Sequence, residues 1–151
     1  MAKRNIIQLP DELLRKKCRE VTAFDDRLAT LLDDMKETLI AADGVGLAAP
    51  QVAVLKRVCI VMTEDLYLEM INPVITSSKG KQEWPEGCLS IKGKRGDVVR
   101  AKEITFDAYD RFGNKYTKTV SDFNAVACQH EMDHLDGILF IDRCKAEDDD
   151  E

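Results

Sequence analysis

The stretch from Glu103 to Gly137 constrains the fold most, because it reads as a strand pair running directly into a helix. From Glu103 to Asp110 the side chains alternate, with Ile104, Phe106 and Ala108 facing one way and Thr105, Asp107 and Tyr109 the other. That is the period of a half-buried strand. Gly113-Asn114 supplies a turn, and Lys115 to Val120 returns the chain as the second arm of a hairpin. Ser121 or Asp122 then suits an N-cap, a helix runs from Phe123 to about Leu135, and Asp136-Gly137 closes it.

Upstream, Phe24 to Ala42 is predicted to be helical. Leu28, Leu31, Leu32, Met35 and Leu39 recur at three- and four-residue spacing, Asp25 and Asp26 suit the start, and Gly44 lies just past the end. Arg57 to Met62 and Leu66 to Ile75 read as strands, with Asn72-Pro73 expected to interrupt or end pairing in the second. Helix, strands, hairpin, helix is an α+β order, and 151 residues suit one compact domain.

No apolar run approaches the ~18 residues that span a bilayer, and no apolar segment follows the basic Lys3-Arg4, so neither a membrane span nor a secretory signal is expected. The formal charge is −6, and residues 147–151 are all acidic. The rest of the chain is near neutral, which predicts no direct nucleic-acid binding. The expected division is a catalytic domain over 1–143 and an acidic, disordered tail over 144–151. The five cysteines are odd in number and none form a CxxC pair, so a reducing compartment is expected.

The chain has only two histidines, and both lie in His130-Glu131-Met132-Asp133-His134 on the predicted second helix. Side chains four apart share a helix face, roughly 5–6 Å apart at Cβ, so two imidazoles can grip one divalent ion while Glu131 stands beside them to take a proton. The alternative is an ordinary polar helix face. Such a centre usually takes three protein ligands, and no third histidine exists. A thiolate or an upstream carboxylate is then needed, and Cys88, within Glu86-Gly87-Cys88-Leu89-Ser90, is one candidate. Taken alone it reads equally as a small buried residue. Phe123, Val126 and Ala127 precede His130 by seven, four and three residues and share its face. They form either an apolar wall for a substrate side chain or plain core.

With these residues in view, the sequence resembles the peptide deformylases. Three motifs stand in the family's order: Gly44-Val45-Gly46-Leu47-Ala48-Ala49-Pro50-Gln51, Glu86 to Ser90, and Gln129 to Leu135. The resemblance covers about Leu9 to Asp142. It implies a compact α+β domain with small antiparallel sheets around the helix that bears the histidines. It implies that Cys88, His130 and His134 hold one divalent metal ion with water in the fourth position, ferrous iron being usual and zinc, nickel or cobalt also fitting. Glu131 would be general base and then general acid, and Gln51 and the Leu89 backbone N–H would donate to the developing oxyanion. Gly44, Val45 and Gly46 would keep a strand edge bare for an extended peptide. Glu86, Gly87 and Arg100 would lie near the substrate, Arg100 binding peptide backbone. The substrates implied are N-formylmethionyl peptides and nascent chains, in the cytoplasm of a bacterium or phage host or within an organelle; transient ribosome contact is left open, since the acidic run would disfavour docking on ribosomal RNA through the tail.

Two departures stand out. Lys92 occupies a position where many members have proline, and the chain ends in its acidic run where many bacterial members continue into a long helix. A metallopeptidase with another third ligand, and a homologue that binds without turnover, are the rival readings. Intact Glu131 and Gln51 argue against the second.

Overall fold

The computed structural model describes residues 2–144. Helix α1 (Asp26–Ala42) begins where the extended Asp25 turns its carboxylate onto the Leu28 N–H at 3.1 Å, and it ends at Asp43 in the left-handed region. That cap excludes Phe24, with which the helix was expected to begin. The apolar stripe is inward as expected, and Leu32, Met35 and Leu39 are fully buried. Each contributes about 1.5–3 kcal/mol by leaving water.

Seven strands follow in two sheets: β1 (Gly46–Ala48), β2 (Val58–Met62), β3 (Tyr67–Lys79), β4 (Gln82–Cys88), β5 (Ile91–Arg100), β6 (Glu103–Tyr109) and β7 (Lys115–Ser121). One antiparallel sheet has the order β1-β2-β3-β6-β7, and β4 and β5 form a separate pair. Helix α2 (Asp122–His134) leaves the end of β7 directly, as the sequence predicts. In the hairpin Ile104, Phe106 and Ala108 are buried together. Among the described residues no helix is long and apolar enough to cross a membrane.

The sheet is covered on both faces at β2. Val58 and Ile60 pack with the α1 stripe, while Cys59 and Val61 pack with Ala125, Cys128 and Met132 of α2. A strand buried on both sides needs no polar alternation, which accounts for its unbroken apolar run. Helix α2 buries polar side chains as well, for His130, Glu131 and His134 are buried along with Ala125, Val126, Ala127 and Cys128, while Asp122, Asn124, Gln129 and Asp133 keep some exposure. It is a central helix whose polar groups must be satisfied inside the protein.

Asn72-Pro73 interrupts pairing, as expected, but does not end the strand, for β3 runs on to Lys79. Asn72 adopts φ 52°, the register shifts between Ile71 and Val74, and the missing Pro73 N–H falls within that irregularity. The Asn72 side chain fixes the kink by accepting from the Val21 N–H at 2.9 Å and donating to the Val21 carbonyl at 3.0 Å. Next, β4 and β5 form where no strands were expected. Finally, Cys144, assigned to the tail, makes an antiparallel bridge with Val98 of β5. The remainder of the expected tail, 145–151, lies outside the described residues.

Candidate metal centre

A cleft opens between the loop and strand around Gly44–Gly46, the segment Pro85–Leu89 at the end of β4, and the face of α2 that bears Phe123, Val126, Ala127, His130 and Glu131. Its volume is about 370 Å³. The structure brings nearly all the sequence-predicted residues to it, and His134 lies just behind.

The ligand atoms of Cys88, His130 and His134 all lie within 4.8 Å of one another. Cys88 Sγ is 3.5 Å from His134 Nε2, close to the S···N edge of a tetrahedron with bonds of ~2.3 Å to sulfur and ~2.0–2.1 Å to nitrogen. Glu131 Oε2 sits 4.0 Å from His130 Nε2. Glu131 Oε1 is buried without a hydrogen-bond partner among the described residues, which leaves it open to a bound species, and His134 Nδ1 is likewise unpartnered, on the side of the ring away from Cys88. One soft thiol and two imidazoles suit a divalent transition-metal ion, so the residues present fit the metal.

Burial and close polar partners perturb His130, His134 and Glu131 at this point. Burial works against charge on either ring. At His130, hydrogen bonds to Cys88 and Glu86 outweigh burial and lift the pKa to about 10. At His134, burial and the neighbouring His130 hold it well below the ordinary imidazole range. Glu131 is pushed up to about 7, chiefly by burial, where it can exchange a proton near neutral pH.

His130 is held on two sides. Its Nδ1 lies 2.8 Å from Glu86 Oε1, and its ring stacks on Phe140 at 6.2 Å between centroids. Glu86 receives both arms of the Arg100 fork, from Nε at 2.6 Å and Nη2 at 3.0 Å, while Arg100 Nη1 reaches Asp133 Oδ2 at 2.9 Å. Arg143 Nε completes the chain on Asp133 at 2.6 Å. Burial opposes ionisation of Glu86, but His130 and Arg100 more than offset it and hold the carboxyl below its ordinary value. Such partners fix the tautomer and orientation of a ligating imidazole.

Arg100 is therefore not where the sequence placed it. Its side chain is 4% exposed, it does not line the cleft, and its nitrogens are spent on Glu86 and Asp133. A burial-driven ion network captured a residue expected to meet peptide backbone.

Gln51 is buried, in the 3-10 turn Ala49–Val52 after β1. Its Oε1 accepts from the Ala48 N–H at 2.9 Å, which turns Nε2 toward Ser90 Oγ at 3.0 Å and Cys88 Sγ at 3.6 Å. Gly46 has a role that sequence reasoning missed: a Cβ there would lie 2.4 Å from Glu131 Oε2. Glycine thus makes room for the carboxylate. Arg95 also lines the cleft, and nothing in its local sequence pointed there.

An α+β domain gathering a thiol, two imidazoles and a free carboxylate about one point has the make-up of a metal-dependent hydrolase. The family described as polypeptide deformylase matches this chain over residues 3–150. A peptide deformylase of Acetivibrio thermocellus is 51% identical over 143 residues, covering 95% of this chain and 84% of that protein. One of Clostridium botulinum is 50% identical, covering 95% and 97%. The crystal structure of a peptide deformylase from Thermotoga maritima aligns with TM-score 0.94 at 34% identity, covering 96% and 99%. The chain belongs to the polypeptide deformylase family, and is an enzyme of it.

Proposed function

We propose that this protein hydrolyses the formyl amide at the N-terminal methionine of peptides and nascent chains in the cytoplasm, releasing formate and a free amine. The observation that carries the reading is the convergence of Cys88, His130 and His134 within 4.8 Å, with the Glu131 carboxylate beside them. A divalent ion held by these three residues, ferrous iron by family resemblance, would supply Lewis acidity to the formyl oxygen and to water.

The chain's own groups do the rest. Glu131 takes a proton from the attacking water and returns it to the departing amine. Gln51 Nε2 and the Leu89 N–H donate to the formyl oxygen as charge builds, one such donor being worth ~3–4 kcal/mol. Phe123, Val126 and Ala127 offer an apolar wall to the methionine side chain. Gly44, Val45 and Gly46 on one side and Gly87 on the other leave backbone within reach of an extended peptide. Glu86, backed by Arg100, orients His130.

The test is anaerobic formate release from formyl-Met-Ala with Fe²⁺ or Ni²⁺ added, beside unblocked peptides. Formate from the formylated peptide alone is the expected result, with Glu131→Gln retaining metal and losing ~10²–10⁴-fold in turnover. Internal cleavage would mark a metallopeptidase, and no product from any peptide would mark a binding protein. Full activity in Glu131→Gln would remove the proton-transfer role.

A further inference from the structure

We propose that Gln8 is a positioning residue for the reaction: residues 6–9 strap the two oxyanion donors together from behind, and the Gln8 side chain fixes the peptide of one of them, Leu89. The inference rests on the deformylase reading above and names what holds its oxyanion site in place.

The two donors come from separate parts of the fold. Gln51 lies in the turn after β1, at the edge of the main sheet, and Leu89 lies between β4 and β5 of the small pair. Residues 6–9 reach both. The Ile7 N–H donates to the Gln51 carbonyl at 2.8 Å, the Leu9 N–H to the Ser90 carbonyl at 2.9 Å, and Gln8 Nε2 to the Leu89 carbonyl at 2.8 Å. The Gln51 side chain closes the ring, for its Nε2 donates to Ser90 Oγ at 3.0 Å. An amide nitrogen carries two hydrogens. With one spent on Ser90, the other is left for the side where Nε2 stands 3.6 Å from Cys88 Sγ.

Apolar side chains anchor the strap on both sides. Ile6 packs against the α1 cluster that also receives Leu89, while Ile7 and Leu9 pack against the cluster of Ile91 and Phe140 that also receives Cys88. The Gln8 side chain adds the bond that reaches Leu89 itself. The Leu89 N–H and carbonyl belong to adjacent peptide planes joined at one Cα. Cys88 is paired with Ile91 on one side of them, and Gln8 and Leu9 pin the next two carbonyls on the other. So held, the N–H keeps one direction, and a donor already in place needs no reorganisation as charge develops. Gln8 is not among the residues that line the cleft, so it acts through Leu89 and not on the substrate.

Formate release from formyl-Met-Ala by metal-loaded wild type, Gln8→Met, Gln8→Glu and Gln8→Lys tests this. Gln8→Met keeps the side-chain length and removes the donor. Its kcat should fall about tenfold, short of the roughly 10²–10³-fold that outright loss of an oxyanion donor costs, with KM within about twofold of wild type. Gln8→Glu sets an ionised acceptor against the carbonyl and should lose more. Gln8→Lys, which donates again, should recover most of the loss, and the Glu and Lys variants carry the test if Gln8→Met fails to fold. Nitrogen-15 relaxation of the Leu89 amide in zinc-loaded protein gives a second readout. Its order parameter should be ~0.85 in wild type and Gln8→Lys and drop below ~0.6 in Gln8→Met. A kcat near wild type in Gln8→Met, a lowered kcat with the Leu89 amide unchanged, or a loss that Gln8→Lys does not recover overturns the proposal, while wild-type turnover preserves the deformylase reading. No formate from the wild type overturns both.

Discussion

Removing the Arg100 side chain tests the ion network behind His130 most directly. Arg100 and Glu86 are 4% and 5% exposed, and Asp133 is 16% exposed. In Arg100→Ala the Glu86 carboxylate stays buried with only His130 to hold it, and Asp133 keeps Arg143. Stripping one partner from a buried pair costs about 3–5 kcal/mol, mostly because the surviving charge is left uncompensated. At about 2–4 °C per kcal/mol for a chain of this size, the melting temperature of metal-free protein should fall by about 6–20 °C. The sign with pH follows from Glu86. Its pKa is depressed in the folded state, so its contribution is present above the ordinary value of 4.5 and is lost as pH falls through the folded one. The Arg100→Ala penalty should therefore be largest near neutrality and shrink in acid. Adding Glu86→Gln removes the stranded charge and should recover about 1–3 kcal/mol. Urea denaturation of the two single variants and the double variant at pH 7 and pH 4 measures all of this. A loss under 1 kcal/mol, or a double variant that is simply additive, would refute the view that Arg100 neutralises Glu86.

Gly46→Ala should displace Glu131, because the new methyl would stand 2.4 Å from Oε2. Formate release should fall on the order of 10²-fold with metal content by elemental analysis unchanged. Burial lifts Glu131 to about 7, so its stabilising protonated form is complete below the ordinary 4.5 and is lost as pH rises through 7. Glu131→Gln should flatten that decline, bringing the denaturation midpoints of metal-free protein at pH 5 and pH 8 closer together than in wild type. Gly137 sits at φ 75° with a would-be Cβ 2.4 Å from the Arg15 carbonyl oxygen. Gly137→Ala should lose at least ~1–2 kcal/mol, visible as a lower melting temperature by circular dichroism.

The sequence revealed those elements whose local pattern and tertiary environment agree. The α1 stripe, the 104/106/108 alternation and the passage from β7 into α2 were readable because each buries one regular face. Strand β4 carries Pro85 and Gly87, and β5 carries Gly93, Gly96 and four cations. Both violate strand propensity, and they are tolerated because the pair stands apart from the main sheet with its own small core under Val98 and Phe140. Strand β3 was cut short on paper because the left-handed Asn72 has no signature beyond the asparagine itself. At the centre, residue spacing supplied two imidazoles, and family resemblance brought in Cys88, Gln51 and Leu89. Arg100 and Arg95 show the limit of that reasoning. They lie five residues apart on one strand, yet one is buried in an ion network and the other is at the cleft mouth. Only the looped-out register of β5 separates their fates.

The three proposed ligands are split between the small β4–β5 hairpin and helix α2, with the rest of that hairpin and strands β6 and β7 between Cys88 and His130. A chain still lacking α2 has only Cys88 of that set. On the proposed ligand set, two of the three metal-binding side chains come from α2, so both sheets must close on that helix before the set is complete. Ion uptake through that set would then mark completed tertiary assembly during refolding.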